Sequence, residues 1–117
     1  MAITLYGIPN CDTVKKSRAW LAAQEVPHAF HDFRKQGVPA DRLDRWMAAA
    51  GDQLLNRQGT TWRKLPPAVQ AQADTSAGAK ELMLAQPSVI KRPVVEWPDG
   101  TVTVGFDATA WVSRAHR

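Results

Sequence analysis

Only one cysteine, Cys11, occurs in the 117 residues. No internal disulfide can form, so the fold must stand without a covalent staple, as proteins of a reducing compartment do. Metal ligands are equally scarce, because Cys11, His28, His31 and His116 show no spacing of a known zinc type. No apolar run reaches membrane-spanning length, which excludes a transmembrane helix. The start, Met1-Ala2-Ile3-Thr4-Leu5, lacks the basic flank and apolar core of a signal peptide. These absences predict a cytoplasmic protein with no membrane partner. A strong charge of one sign is missing too: 15 Lys and Arg against 11 Asp and Glu give +4, a mild bias towards anionic partners. The basic residues are spread along the chain and not bunched with aromatics, so no nucleic-acid partner is expected. There is no internal repeat and no low-complexity tract, and the length suits one domain with one core.

What is present begins with Ile3-Thr4-Leu5-Tyr6, a short strand ended by the Gly7/Pro9/Asn10 cluster. Asp12 or Thr13 can cap the helix that follows. Its apolar contacts come from Val14, Ala19, Trp20, Leu21 and Ala22, with Lys15, Lys16 and Arg18 outward, and it ends near Gln24 before Pro27. Alternation in Ala29-Phe30-His31-Asp32-Phe33 predicts a second strand, closing a β-α-β unit of about 30 residues with parallel strands. A helix through Leu43, Trp46, Met47 and Ala50 follows the turn at residues 36–39 and stops at Gly51. From Asp52 to Pro67 the period fails, and an irregular stretch of that length is a candidate functional loop. Another helix runs from about Ser76 to Ala85. A strand region from Ser88 to Trp97, the turn Pro98-Asp99-Gly100 and the alternating Thr101-Val102-Thr103-Val104 predict an antiparallel hairpin. A last helix, Asp107 to about Ala115, places Ala110, Trp111 and Ala115 inward. Pro93 interrupts the strand run, so the chain there must be an edge, a bulge or a bend, and a cis Arg92-Pro93 bond satisfies this.

Cys11 stands between the first strand and the first helix, where unpaired helical N–H groups and the helix dipole favour thiolate over thiol. Thiolate is the nucleophile, so Cys11 is the candidate catalytic residue; a small buried hydrophobe is the other reading of a lone cysteine. In open α/β sheets ligands bind beyond the carboxyl ends of the strands, which is where Cys11 falls. Cations from elsewhere would complete such a site: Arg92, Lys91, and Arg57, Arg63 and Lys64 of the irregular stretch. A guanidinium gives two parallel hydrogen bonds to a carboxylate or tetrahedral oxyanion. Trp62 can line a pocket, while His28 and His31 read as edge residues with no partner that would make either a base.

Gly7-Ile8-Pro9-Asn10-Cys11-Asp12-Thr13, Leu54-Leu55-Asn56-Arg57-Gln58-Gly59-Thr60-Thr61-Trp62 and Ile90-Lys91-Arg92-Pro93, in this order, resemble the ArsC family of arsenate-reductase-like proteins. The likeness is greatest to its short YffB-type branch and covers nearly the whole chain. It implies a thioredoxin-like α/β fold with a mixed sheet, a single domain over residues 1–117 and a helical insertion at about 38–85. It also implies that Pro93 is a cis-proline beside the reactive thiol, that Cys11 is the nucleophile, and that Arg92 is the family's arginine before that proline. Three features depart from the family's arsenate reductases. Asn56 stands where they carry an arginine, with Arg57 one place later; a further arginine falls at about Gly105; and a histidine upstream of the cysteine falls at Gly7. A lost guanidinium removes a charge-assisted contact worth ~1.5–3 kcal/mol, which argues against arsenate as the natural substrate. The family's Spx-type regulators of RNA polymerase use a Cys-x-x-Cys switch, and the second position here is Val14.

The resulting expectation is a monomeric thiol oxidoreductase, with glutathione as reducing co-substrate and no tightly bound cofactor or metal. Cys11 would form a mixed disulfide that an external thiol, glutathione or a glutaredoxin, must resolve. Arg92, with Arg57 or Lys91, would hold a glutathione carboxylate or substrate oxyanion, while Asn10, Asp12 and Thr13 shape the helix start and its N–H cradle and Pro93 adjoins the bound group. Arsenate reduction and a non-catalytic polymerase-binding role are the alternatives.

Overall fold

A computed structural model describes residues 3–115; His116 lies outside them. The chain divides into two compact units, one formed by the residues up to Gln36 together with those from Arg92 onward, the other by Gly37–Lys91.

In the first unit, β1 (Ile3–Gly7) leads to helix α1 (Asp12–Ala23), then β2 (His28–Asp32) and the single turn α2 (Phe33–Gln36). After the inserted unit come β3 (Val94–Glu96), β4 (Val102–Val104) and α7 (Ala108–Ala115). The sheet order is β2-β1-β3-β4, with β1 and β2 parallel and the other two pairings antiparallel. This is the mixed α/β sheet that the alternating segments predict. Phe33, read as strand, opens α2 instead, because the Asp32 carboxylate accepts the Arg34 N–H at 2.8 Å and turns the chain.

Alternation along β1 sends Ile3 and Leu5 to one face, where they pack with Val14 and Leu21 of α1, Val95, Trp97 and Trp111. The buried stripe of α1 is Val14, Ser17 and Leu21, while Ala19 and Ala22 are exposed. Sequence reading placed Val14 and Leu21 inward but passed over Ser17, a polar residue in the middle of the stripe. The Ser17 hydroxyl donates to the Thr13 carbonyl at 2.7 Å, which makes its burial tolerable. Ala110 of α7 is also exposed, leaving Trp111 as the anchor of that helix. On the other face the Tyr6 ring lies 5.0 Å from His31, and its hydroxyl donates to the Glu96 carboxylate at 2.8 Å.

The strand anticipated from Ser88 to Trp97 is mostly not a strand. Residues Pro87–Val89 form a 3-10 turn, Ile90 bridges antiparallel to Leu55, and regular pairing begins only at Val94. The peptide bond between Arg92 and Pro93 is cis. Pro93 thus falls just before β3, where its missing N–H breaks no ladder bond and its carbonyl still accepts from Gly105 at 2.9 Å.

In the second unit, α3 (Ala40–Ala50) ends at Gly51, whose φ of 56° suits glycine. The irregular stretch resolves into a 3-10 turn (Gly51–Leu54), α4 (Thr60–Lys64), α5 (Pro67–Gln70) and a second 3-10 turn (Ala71–Asp74) before α6 (Ser76–Ala85). Pieces of four or five residues are too short to show a period. Leu43, Trp46, Leu54, Leu82, Met83, Val89 and Ile90 are buried in this unit. Among the described residues no helix is long and apolar enough to cross a membrane.

Candidate functional site

The end of β1 is built for close packing. Gly7 is buried, and a Cβ there would meet Val14 Cγ2 at 2.8 Å, so the position opposite the first turn of α1 admits only glycine without a shift. Ile8, Pro9 and Asn10 turn the chain, and the Cys11 N–H reaches back to the Ile8 carbonyl at 3.4 Å.

Cys11 is itself the N-cap of α1, with extended backbone angles (φ −92°, ψ 127°) and a carbonyl that accepts the Lys15 N–H at 2.9 Å. Neither Asp12 nor Thr13 caps the helix; they occupy its first two helical positions. Cys11 makes no side-chain capping bond. The N–H groups of Asp12, Thr13 and Val14 have no intrahelical acceptor, as in any first turn, and Cys11 stands at the head of that turn as a free thiol. Cys11 is half-buried against the core, Asn10 and Asp12 are exposed, and Thr13 is half-buried. Val14, three places after the cysteine, is fully buried.

Strand register carries a second segment to the same end of the sheet. Tyr6 pairs with Val94 in the antiparallel β1–β3 ladder, so one step further along each strand Gly7 comes opposite Pro93. Arg92 and cis-Pro93 therefore enter β3 at the end where β1 passes into the Cys11 turn. Pro93 is buried and Arg92 half-buried. The Arg92 Nη1 atom is buried with no hydrogen-bond partner. A guanidinium nitrogen removed from water without an acceptor is costly, so this atom asks for an anion or another acceptor that the folded chain does not supply.

Arg57 and Lys91 belong to the second unit. Both are exposed. The Lys91 N–H donates to the Leu54 carbonyl at 2.7 Å and the Asn56 N–H to the Val89 carbonyl at 2.8 Å, which fixes Leu54 opposite Lys91 and Asn56 opposite Val89. Arg57 and Lys91 thus leave this short ladder at opposite ends. The Arg57 guanidinium lies 5.3 Å from the centre of the Trp62 ring, a cation–π contact that holds it at the surface of its own unit. Arg63 and Lys64 are exposed in the last turn of α4. His28 bonds through Nδ1 to the Val26 carbonyl at 3.0 Å, and His31 packs between Tyr6 and Phe33. Among the described residues no group of three or more His, Cys, Asp or Glu is placed to hold a metal ion.

Sequence reading did not anticipate the unpaired Nη1 of Arg92, because satisfaction of a donor depends on every surrounding group. The Tyr6–Glu96 bond was missed as well. Its signal was available in principle, since the two residues are diagonal neighbours on one face once the strands are aligned.

The ArsC family model matches residues 6–113. An uncharacterised protein of Haemophilus influenzae is 40% identical over 106 residues, covering 90% of this chain and 91% of that one. Among solved structures, a YFFB protein superposes with a TM-score of 0.90 at 47% identity, covering 97% of this chain and 99% of the other. An arsenate reductase (ArsC) related protein from Brucella melitensis is 49% identical with a TM-score of 0.75, covering 97% and 93%.

Proposed function

Because the chain belongs to the ArsC family, we propose that it is a glutathione-dependent thiol oxidoreductase whose chemistry rests on Cys11. The observation that carries the reading is the buried, unpartnered Nη1 of Arg92, on a segment that the sheet register brings to the Cys11 end of β1. A cation held there without an acceptor suits a ligand that brings a carboxylate or an oxyanion, and glutathione carries two carboxylates beside its thiol.

In the proposed cycle, Cys11 thiolate attacks the glutathionyl sulfur of a substrate–glutathione mixed disulfide; the Cys11–glutathione S–S bond forms as the substrate–glutathione S–S bond breaks, and the leaving substrate thiolate takes up a proton. A glutathione thiolate then attacks the glutathionyl sulfur on Cys11, returns Cys11 as thiolate and leaves as glutathione disulfide, so that the two glutathionyl groups together carry away the two electrons' worth of oxidation. The external thiol is required because the chain has no second cysteine. Arg92 binds the anionic group, Asn10, Asp12 and Thr13 set the start of α1, and Pro93 sets the approach to β3.

The test is intact-mass analysis after incubation with oxidised glutathione, paired with a coupled disulfide-reduction assay. Wild type is expected to gain one glutathione, C11S none, and R92A to lose about tenfold in kcat/KM. Wild-type protein that takes up no glutathione would sink the proposal.

The name of the Brucella relative supports arsenate as a second substrate reading. Turnover of arsenate by wild type with glutathione and glutaredoxin, lost in C11S, would favour it over disulfide reduction.

A further inference from the structure

Between the hairpin and the last helix the backbone takes a left-handed step. β4 ends at Val104, and Gly105 follows with a φ of 81°. Ahead of that step, the Gly105 N–H donates to the Pro93 carbonyl at 2.9 Å and extends the β3–β4 register, in which Val94 faces Val104, by one pair. Behind it, Phe106 packs against the core of the first unit, its ring 4.9 Å from Trp111 and 6.4 Å from Trp20. Asp107 then opens α7: its carboxylate accepts the Ala110 N–H at 3.2 Å and its carbonyl the Trp111 N–H at 2.9 Å.

Residues with a Cβ disfavour that φ, so another side chain in place of Gly105 drives the backbone towards a negative value. Either the N–H at this position or the chain from Phe106 onward must then turn. Phe106 is held by two rings and the capped start of α7, the N–H by a single hydrogen bond. The bond to Pro93 is the contact that yields. Proline has no N–H, so its carbonyl is the one backbone group by which Pro93 can be tied to a neighbouring strand. Arg92 is joined directly to it, with Nη1 buried and unpartnered, and the reach of a guanidinium starts from the backbone that carries it.

We infer that Gly105 is a positioning residue for the Arg92 anion site: its left-handed backbone lets the N–H hold Pro93 while Phe106 stays in the core, and this keeps Arg92 in the orientation that receives the ligand's anionic group. The inference rests on the reading of Arg92 as the group that binds that anion. Loss of the bond lets the Arg92-Pro93 segment populate other orientations, and the apparent affinity for an anion falls with the fraction that remains competent. Cys11 belongs to a different turn, so its thiol chemistry is left as it was.

Sulfate binding to the full-length protein is measured by calorimetry for wild type, G105N, G105A, G105V and R92M, and alkylation of Cys11 by iodoacetamide is timed on the same samples. Asparagine enters the left-handed region more readily than alanine, although it is the larger side chain. Sulfate affinity is therefore expected to fall about fivefold in G105A but less than about twofold in G105N, with the alkylation rate unchanged in both. G105V, whose branched side chain tolerates that φ least, is expected to bind most weakly; should it fail to fold, the order of asparagine and alanine decides alone. Affinity in G105A equal to that of wild type overturns the inference, and so does weaker binding in G105N than in G105A, which would mean crowding and not backbone conformation. A parallel loss of alkylation overturns it in favour of a general loosening of the fold. In each of these cases an R92M protein that binds no sulfate leaves the Arg92 reading standing. Sulfate bound equally by R92M and wild type, or not bound by wild type, overturns both.

Discussion

Arg92 holds a nitrogen in a state that folding alone does not reward. A buried donor without an acceptor costs about 1–3 kcal/mol, and Nη1 of Arg92 is such a donor. Replacing it by an apolar side chain of similar length removes that cost, so R92M is expected to raise the Tm of the ligand-free protein by a few degrees, at roughly 4 °C per kcal/mol. Sulfate should then raise the Tm of wild type and leave R92M unmoved, since only the guanidinium gives the anion differential affinity for the folded state. A melt in which both proteins respond equally to sulfate would remove Arg92 from the anion site. Cys11 poses the same conflict at the start of α1. Serine is a preferred N-cap and cysteine here makes no capping bond, so C11S is expected to gain up to about 1 kcal/mol of stability while losing glutathione uptake. A C11S protein several degrees less stable than wild type would show instead that the sulfur's packing against the core outweighs the cap.

Helix ends show where the sequence was readable and where it was not. Gln24, Glu25 and Val26 close α1 as a Schellman motif: the Glu25 N–H bonds the Ala22 carbonyl at 3.0 Å and the Val26 N–H bonds the Leu21 carbonyl at 2.9 Å. Glu25 does this with a φ of 57°, a region that disfavours any side chain with a Cβ. E25G is therefore expected to stabilise the protein by about 0.5–1 kcal/mol, read as a rise in Tm; a fall would mean that the Glu25 side chain makes a compensating contact. The opposite holds at Gly78 in the first turn of α6, where a Cβ would come within 2.0 Å of the Gln72 carbonyl oxygen. G78A must separate α6 from the preceding 3-10 turn and is expected to cost at least about 2 kcal/mol, measured by urea denaturation. The two long helices α3 and α6 were legible because Leu43, Trp46 and Ala50, and then Ala79, Leu82 and Met83, repeat at helical spacing. The segment from Ser88 to Arg92 was not. Its β-branched residues suit a strand, yet Ile90 pairs with Leu55, a partner 35 positions earlier that no local pattern could name.

Across the molecule, the parallel pair β1–β2 and the hairpin β3–β4 followed from alternation and turn residues, and the placement of Cys11 followed from the strand-to-helix junction. The placing of the Cys11 turn and the Arg92-Pro93 segment at one end of the sheet did not follow from residue patterns. It depends on β3 choosing β1 as its neighbour; residue reading named Arg92 as a candidate partner for Cys11, but only the family likeness pointed to the pairing that aligns them. What fixes that choice is visible in the first unit's core. Trp111 of the last helix lies 5.1 Å from Trp97 at the end of the β3 segment, 5.9 Å from Trp20 of α1 and 4.9 Å from Phe106, all edge to face. One side chain near the end of the chain therefore ties the N-terminal β-α-β segment to the C-terminal hairpin. Removing a buried tryptophan costs about 3–5 kcal/mol, a large part of the roughly 5–15 kcal/mol that holds a domain of this size. W111A is expected to lower the Tm by more than about 10 °C and to flatten the near-ultraviolet circular dichroism, because the paired rings lose their fixed geometry. Its neighbour Val112 is 51% exposed on the outer face of the same helix, and V112A is expected to stay within about 0.5 kcal/mol of wild type. If the two substitutions proved equally mild, the aromatic cluster would not be what locks β3 against β1, and the alignment of the Arg92-Pro93 segment with the end of β1 would need another cause.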